Sequence, residues 1–242
     1  MSEEQVIATK VVFLGGSGVG KSTISNTLFT GKFADDLPNT IGSAFTTKLF
    51  DHKDKNLVHK MNVWDTSGQE NYFSITKIYF RDANAIVLVA DATDEDSLRD
   101  AQRYLEEVRD NLVESEFIVF VINKIDLLPG YLESQQSAYS DTPEDQLANF
   151  KPVLSDSFKH QCPFFGKLVK FSEESGFAAT FWATATNPIS VREIFEFIDG
   201  RVLAGEIGPA PTRTRRNNRE NMFVSSFRQP LREPMPKGKN CC

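Results

Sequence analysis

Gly15-Gly16-Ser17-Gly18-Val19-Gly20-Lys21-Ser22 packs four glycines, a lysine and two hydroxyls into eight positions. Glycines at that density let successive backbone N–H groups turn inward to form a concavity for anions. The start of a helix behind them adds the positive end of its dipole. The spacing Gly15-x4-Gly20-Lys21-Ser22, after a β-rich run and before a helical one, is a Walker A loop. Lys21 is placed to reach terminal phosphates, the Ser22 hydroxyl to ligate Mg²⁺, and Ser17, Gly18, Val19, Gly20 and Thr23 complete the phosphate cradle. The competing reading is a structural turn with an exposed lysine.

Asp65-Thr66-Ser67-Gly68-Gln69-Glu70 follows a β-rich run that ends near Trp64. A carboxylate at the carboxyl end of a strand, facing a phosphate loop, is where an Mg²⁺ shell needs Asp65. Gly68 has no Cβ, so its N–H can approach a γ-phosphate. Gln69, donor and acceptor in one group, is suited to orient an attacking water and is assigned as catalytic together with Lys21.

Asn123-Lys124-Ile125-Asp126 follows the apolar run 117–122. The Asp126 carboxylate can accept from both N1–H and the 2-amino group of guanine. Adenine offers neither, and an unpaired buried carboxylate costs about 1–3 kcal/mol. Sites built this way discriminate by roughly 10⁴, which favours GTP and GDP over ATP. The plainer alternative is a polar helix cap. Thr40, in a loop ahead of an edge strand, offers a second hydroxyl to Mg²⁺ when a γ-phosphate closes that loop, and Phe33 can lie across the base.

These segments must be carried by alternating β and α units. Residues 6–14 read as a strand, 21–29 as a helix stopped by Gly31, and 44–51 with 57–64 as an antiparallel hairpin. The runs 85–90 and 117–122 are continuously apolar, the pattern of strands buried on both faces of a parallel sheet. Residues 97–111 read as a helix capped by Asp94, and 164–175 as another stopped by Gly176. A short strand is expected at 180–184, and Ser190-Val191-Arg192-Glu193 reads as a capping box opening the last helix. Residues 129–162, rich in Pro, Gly, Ser and Gln, read as a surface insertion with a short helix starting near Thr142. Beyond Gly205 the text reads as a disordered tail, so the chain divides into a domain at 1–205 and a tail at 206–242.

The chain has 242 residues, is 40% hydrophobic and 25% charged, and carries a net charge of −6. Residues 205–242 carry +5, which leaves −11 on the rest. An acidic body speaks against nucleic-acid binding, and a basic tail favours an anionic membrane surface. Three cysteines exclude a disulfide scaffold. No run is long enough to span a membrane, and neither a secretory leader nor N-myristoylation is expected from Met1-Ser2-Glu3-Glu4-Gln5.

With Gly15–Ser22, Thr40, Asp65–Gln69 and Asn123–Asp126 in this order, the chain resembles Ras-superfamily small GTPases of the Rab family. Ser17, Ile41-Gly42-Ser43-Ala44-Phe45, Trp64–Glu70 and Tyr79-Phe80-Arg81-Asp82-Ala83 carry the likeness over about residues 6–205, with a tilt toward endosomal members. The resemblance implies an α/β P-loop NTPase fold, the small G domain. Its mostly parallel six-stranded sheet has helices on both faces and one antiparallel edge strand. Thr184-Ala185-Thr186 then stands at the third base-contacting loop, with the Ala185 N–H facing the guanine oxygen. Cys241-Cys242 resembles the family's di-cysteine prenylation site, and two lipid chains would anchor firmly where one is reversible. Implied partners are an exchange factor, an activating protein, a dissociation inhibitor or prenylation escort, and effectors. A monomer at the cytoplasmic face of an endomembrane, serving vesicle traffic, is expected.

Ser67 where alanine is usual, Asn71 and Phe73 in the second switch, Thr186 where lysine is usual, and a long 129–162 insertion depart from the family pattern. No arginine is placed to act in cis; Arg81 follows the second switch without motif support. Slow intrinsic hydrolysis, on the order of 10⁻⁴ to 10⁻³ s⁻¹, and acceleration by an arginine in trans are therefore expected. One competing reading is a nucleotide-locked binding module in which Ser67 and the altered switch have removed useful turnover. The other is an ATP-dependent P-loop enzyme with a metal-binding tail.

Overall fold

The computed structural model describes residues 5–68, 78–111, 117–138, 152–154 and 163–208. The chain divides into two units, Met1–Pro211 and Thr212–Cys242, and the second lies outside the described residues. The expected disordered tail therefore lies largely outside them too. The folded part continues past the boundary expected at 205: Ile207 is buried in the core, and Arg201 pairs with Glu206 at 2.8 Å.

Six strands form one sheet in the order β2-β3-β1-β4-β5-β6. They are β1 (Gln5–Leu14), β2 (Ser43–His52), β3 (Leu57–Thr66), β4 (Ala85–Asp91), β5 (Phe117–Asn123) and β6 (Ala179–Trp182). Only β2 pairs antiparallel, Ser43 opposite Thr66 through His52 opposite Leu57, which is the hairpin read from the sequence. Every residue of β4 is buried, as expected of a central strand with both faces covered.

The helices among the described residues are α1 (Lys21–Thr30), α2 (Glu95–Asn111), α3 (Tyr131–Ala138), α4 (Pro163–Glu174) and α5 (Pro188–Leu203). Alternation along β1 feeds two apolar layers. Val11 and Phe13 join Ile24 of α1 and Phe195 and Ile198 of α5, whereas Val12 and Leu14 join Leu105 of α2 and Leu168 of α4. Each fully buried side chain of this size contributes roughly 1.5–3 kcal/mol. This two-layer sheet sets the carboxyl ends of β1, β3, β4 and β5 along one rim, where the chemistry-bearing loops emerge.

Two expectations need correction. The last helix does not open at Ser190: Asn187 caps it, its side chain accepting from the Ile189 and Ser190 N–H groups at 3.0 and 3.1 Å, with Pro188 at the first helical position. The insertion is not all loop before Thr142, since α3 occupies its start. The α3 side chain Gln135 is buried and clasps Val153, accepting from its N–H at 3.1 Å and donating to its C=O at 2.6 Å. The short helix expected near Thr142 falls outside the described residues.

At the opposite rim, Asp199 of α5 lies between two imidazoles of the hairpin. His59 Nδ1 is 2.7 Å and His52 Nε2 3.1 Å from its Oδ1, and His59 Nε2 is 2.7 Å from Thr9 Oγ1. Both ring nitrogens of His59 are thus engaged, one by the carboxylate and one by the threonine hydroxyl. Burial pushes the Asp199 carboxyl up, but hydrogen bonds and charge from His59 and His52 outweigh it and hold the group below the usual carboxylate range.

Candidate nucleotide and metal site

The left-handed conformation of Gly20 (φ 96°) ends the loop and starts α1 without a side-chain cap, leaving the first amides of the helix free for an anion. Lys21 is not the exposed lysine of a structural turn. It is only 5% exposed, and its Nζ donates to Gly15 O at 2.9 Å and Gly16 O at 2.6 Å. Burial lowers its pKa to about 8, against the pull of Asp65 and Asp100.

Beside it, Ser22 Oγ and Thr40 Oγ1 lie 2.7 Å apart, and Thr40 donates to Asp65 Oδ2 at 3.2 Å. Burial pushes the Asp65 carboxyl up, against the Ser22 hydroxyl, the Lys21 charge and the Thr40 hydroxyl. Asp65 Oδ1 is buried and has no hydrogen-bond partner. An orphaned carboxylate oxygen flanked by two hydroxyls is a hard-oxygen set that suits Mg²⁺, which keeps several waters and needs few protein ligands. No cluster of three or more His, Cys, Asp or Glu able to hold a metal occurs among the described residues.

Gly68 closes this end. A Cβ there would meet Gly16 O at 2.2 Å and Lys21 Nζ at 2.5 Å, so only glycine permits the backbone approach. The adjoining Ser67 is buried and donates its N–H to Gly42 O at 2.8 Å, tying the end of β3 to the loop that carries Thr40.

The neighbouring end is braced by side chains bonded to backbone. Asn123 Nδ2 donates to Val19 O at 2.8 Å and packs against Gly20, which joins the β5 end to the phosphate loop. Lys124 adopts a left-handed φ of 61°, and Asp126 follows in a 3₁₀ turn. Thr186 Oγ1 donates to Asp126 Oδ2 at 3.3 Å, Thr27 Oγ1 donates to Ala185 O at 3.1 Å, and Ser190 Oγ donates to Thr184 O at 3.0 Å. Phe33, Lys124, Asp126, Ala185 and Thr186 line one cavity; Lys21, Ser22, Thr40 and Gly68 line a second, and the two share Gly18, Gly20 and Thr23. One continuous trough with a phosphate-like end and a base-like end results.

The Ras family model matches residues 10–151, more than half of the chain. The chain belongs to the Ras family. Its relatives within that family are Rab-type small GTPases. It is 30% identical over 168 residues to the GTP-binding protein YPT52 of Saccharomyces cerevisiae, covering 66% of this chain and 72% of that relative. It is 41% identical over 124 residues to the Ras-related protein Rab-17 of Mus musculus, covering 51% of this chain and 56% of the relative. A probable Rab-related GTPase of Acanthamoeba polyphaga mimivirus is 36% identical over 167 residues, covering 68% of this chain and 76% of the relative. The chain thus spans from a little over half to about three quarters of these relatives.

In this Rab-type chain the trough gathers Ser17, Gly18, Gly20, Lys21, Ser22, Thr23, Phe33, Thr40, Gly68, Asn123, Lys124, Asp126, Thr184, Ala185 and Thr186; Asp65 meets it through Thr40, and Val19 through Asn123. Gln69, Glu70, Asn71, Phe73, Cys241 and Cys242 lie outside the described residues. Sequence reasoning missed Thr27 and Ser190, which hold the Thr184-Ala185 loop, and Asp91, which holds Lys124. A hydroxyl inside a helical run gives no signal of a loop 158 residues away.

Proposed function

We propose that this Rab-type GTPase binds GTP and GDP in the trough, base against Asp126 and Ala185, phosphates against the Ser17–Thr23 amides and Lys21. The observation that carries the reading is the pairing of an unsatisfied Asp65 oxygen and a buried Lys21 at one end with a braced Asn123–Asp126 segment at the other. Asp65, Ser22 and Thr40 would hold Mg²⁺, which when bound supplies neutralising charge to the β- and γ-phosphates. Lys21, lowered to about 8 by burial, exchanges its carbonyl partners for phosphate oxygens, whose negative charge favours the ammonium form. Gln69 orients the attacking water, and the transition-state charge is met by the loop amides and Lys21. Loss of the γ-phosphate releases the Thr40 loop, which makes the fold a two-state switch.

The switch recruits effectors at the cytoplasmic face of an endomembrane, endosomal by the Thr40–Lys48 text, when Cys241 and Cys242 carry prenyl groups. Eight cations in residues 205–242 support that attachment through anionic lipid. Exchange factor, activating protein and prenylation escort are the implied regulators.

Three experiments test this. Nucleotide extracted from the purified chain is expected to be guanine nucleotide; adenine nucleotide would overturn the base assignment. Single-turnover GTP hydrolysis is expected to fall at least tenfold in Gln69→Leu, whereas equal rates would favour the nucleotide-locked module. Membrane association should likewise be lost in a Cys241→Ser/Cys242→Ser chain.

A further inference from the structure

We infer that Asp91 is a positioning residue for guanine binding, acting through Lys124; this rests on the nucleotide reading of the trough. Asp91 is the last residue of β4 and stands in register with Asn123, the last of β5. It is 5% exposed, yet it touches neither cavity of the trough.

Both carboxylate oxygens have assigned work. Oδ1 accepts from Thr93 N at 2.8 Å and Thr93 Oγ1 at 2.7 Å, closing a small turn over the strand end. The Asp91 N–H donates to Ser97 Oγ at 2.6 Å, and the Ala92 N–H to Asn123 O at 2.9 Å, so the residue is fixed from α2 and from β5 together. That leaves Oδ2 aimed at Lys124, whose Nζ lies 2.6 Å away.

Lys124 needs such an anchor. Its left-handed φ of 61° is one that non-glycine residues seldom adopt, and its long stem otherwise has many rotamers. With its ammonium held by a carboxylate that is only 7% exposed at the side chain, the stem is kept in the wall of the base cavity that Lys124 lines with Phe33 and Asp126. The ion pair is charge-assisted and its carboxylate half is shielded from water, although the Lys124 side chain is 32% exposed, so it holds geometry better than a fully exposed pair would. Asp91 therefore shapes the base pocket without meeting the base.

The test is a double-mutant cycle on release of a fluorescent GDP analogue from the full chain. Asp91→Asn and Lys124→Met are each expected to speed release about tenfold, the scale of one charge-assisted hydrogen bond. The double variant is expected to match Lys124→Met within about twofold, because Asp91 then has nothing left to position. Multiplying effects, or an unchanged rate in Asp91→Asn, would overturn the inference. Thermal melting of the nucleotide-free chains checks folding. If Asp91→Asn does not fold, Thr93→Val takes its place in the cycle, with release expected to speed about threefold and again not in the Lys124→Met background. A wild-type chain that retains no guanine nucleotide would overturn the trough reading instead, a result distinct from multiplying effects in a chain that does retain it.

Discussion

Two aspartates sit buried at opposite rims of the same sheet, Asp65 at 5% exposure and Asp199 at 6%, and the protein treats them differently. Asp199 receives both of its neighbouring imidazoles and is held below the usual carboxylate range. Asp65 receives hydroxyls, keeps one oxygen without a partner, and is pushed upward by burial. Burying a charge is tolerated when the fold itself satisfies it. A buried carboxylate left half-satisfied marks the place where something from outside completes the set. Asp199 thus reads as structure and Asp65 as a site.

The sharpest break between them is Asp199→Ala. It leaves His59 and His52 without their acceptor and should cost about 3 kcal/mol in denaturant unfolding, with nucleotide release little changed. Asp65→Asn should do the reverse. Stability of the nucleotide-free chain should hold or rise, while the slowing of GDP release by Mg²⁺ falls on the order of 100-fold.

The pH profiles should separate next. The Asp199 pKa is lowered on folding, so its stabilisation is present above its unfolded value, near about pH 4, and is lost as pH falls through the folded value. The Asp65 pKa is raised, so its cost is present above the folded value and is relieved as pH falls through it. Unfolding measured on Asp199→Asn and Asp65→Asn against wild type should show these opposite slopes. Smaller still is proton uptake at the phosphate end. With Lys21 near pKa 8 before binding, GDP binding at pH 9 should take up close to one proton through Lys21, read by calorimetry in buffers of different ionisation enthalpy, and that uptake should shrink to a small fraction at pH 7. The smallest effect is expected from His52→Ala, about 1 kcal/mol or less, because that side chain is 20% exposed and His59 remains on Asp199.

The same contrast explains what was legible in the sequence. Asp65 could be read because strand, turn and glycine fall in one short stretch, and the continuous apolar runs of β4 and β5 announced a parallel sheet. Asp199 could not be read: its partners His52 and His59 are 147 and 140 residues away, and nothing local marks them. Ser190 carried a capping box in its text, but Asn187 three residues upstream won the helix start by capping it directly, with Pro188 opening the helix. Helix α3 was obscured by its Ser and Gln content, and its buried residue Gln135 finds its partner 18 positions later. Asp91 stood in plain view at the end of an apolar run, yet its role appears only when the register sets it beside Asn123.

The approach of Gly68 to Gly16 has one more consequence. Two stretches of main chain meet there beside the Lys21 ammonium, so swinging that one side chain aside is not enough to admit a guest. The main chain itself must give. Gly68→Ala would act as a wedge between those two stretches, whichever guest is present.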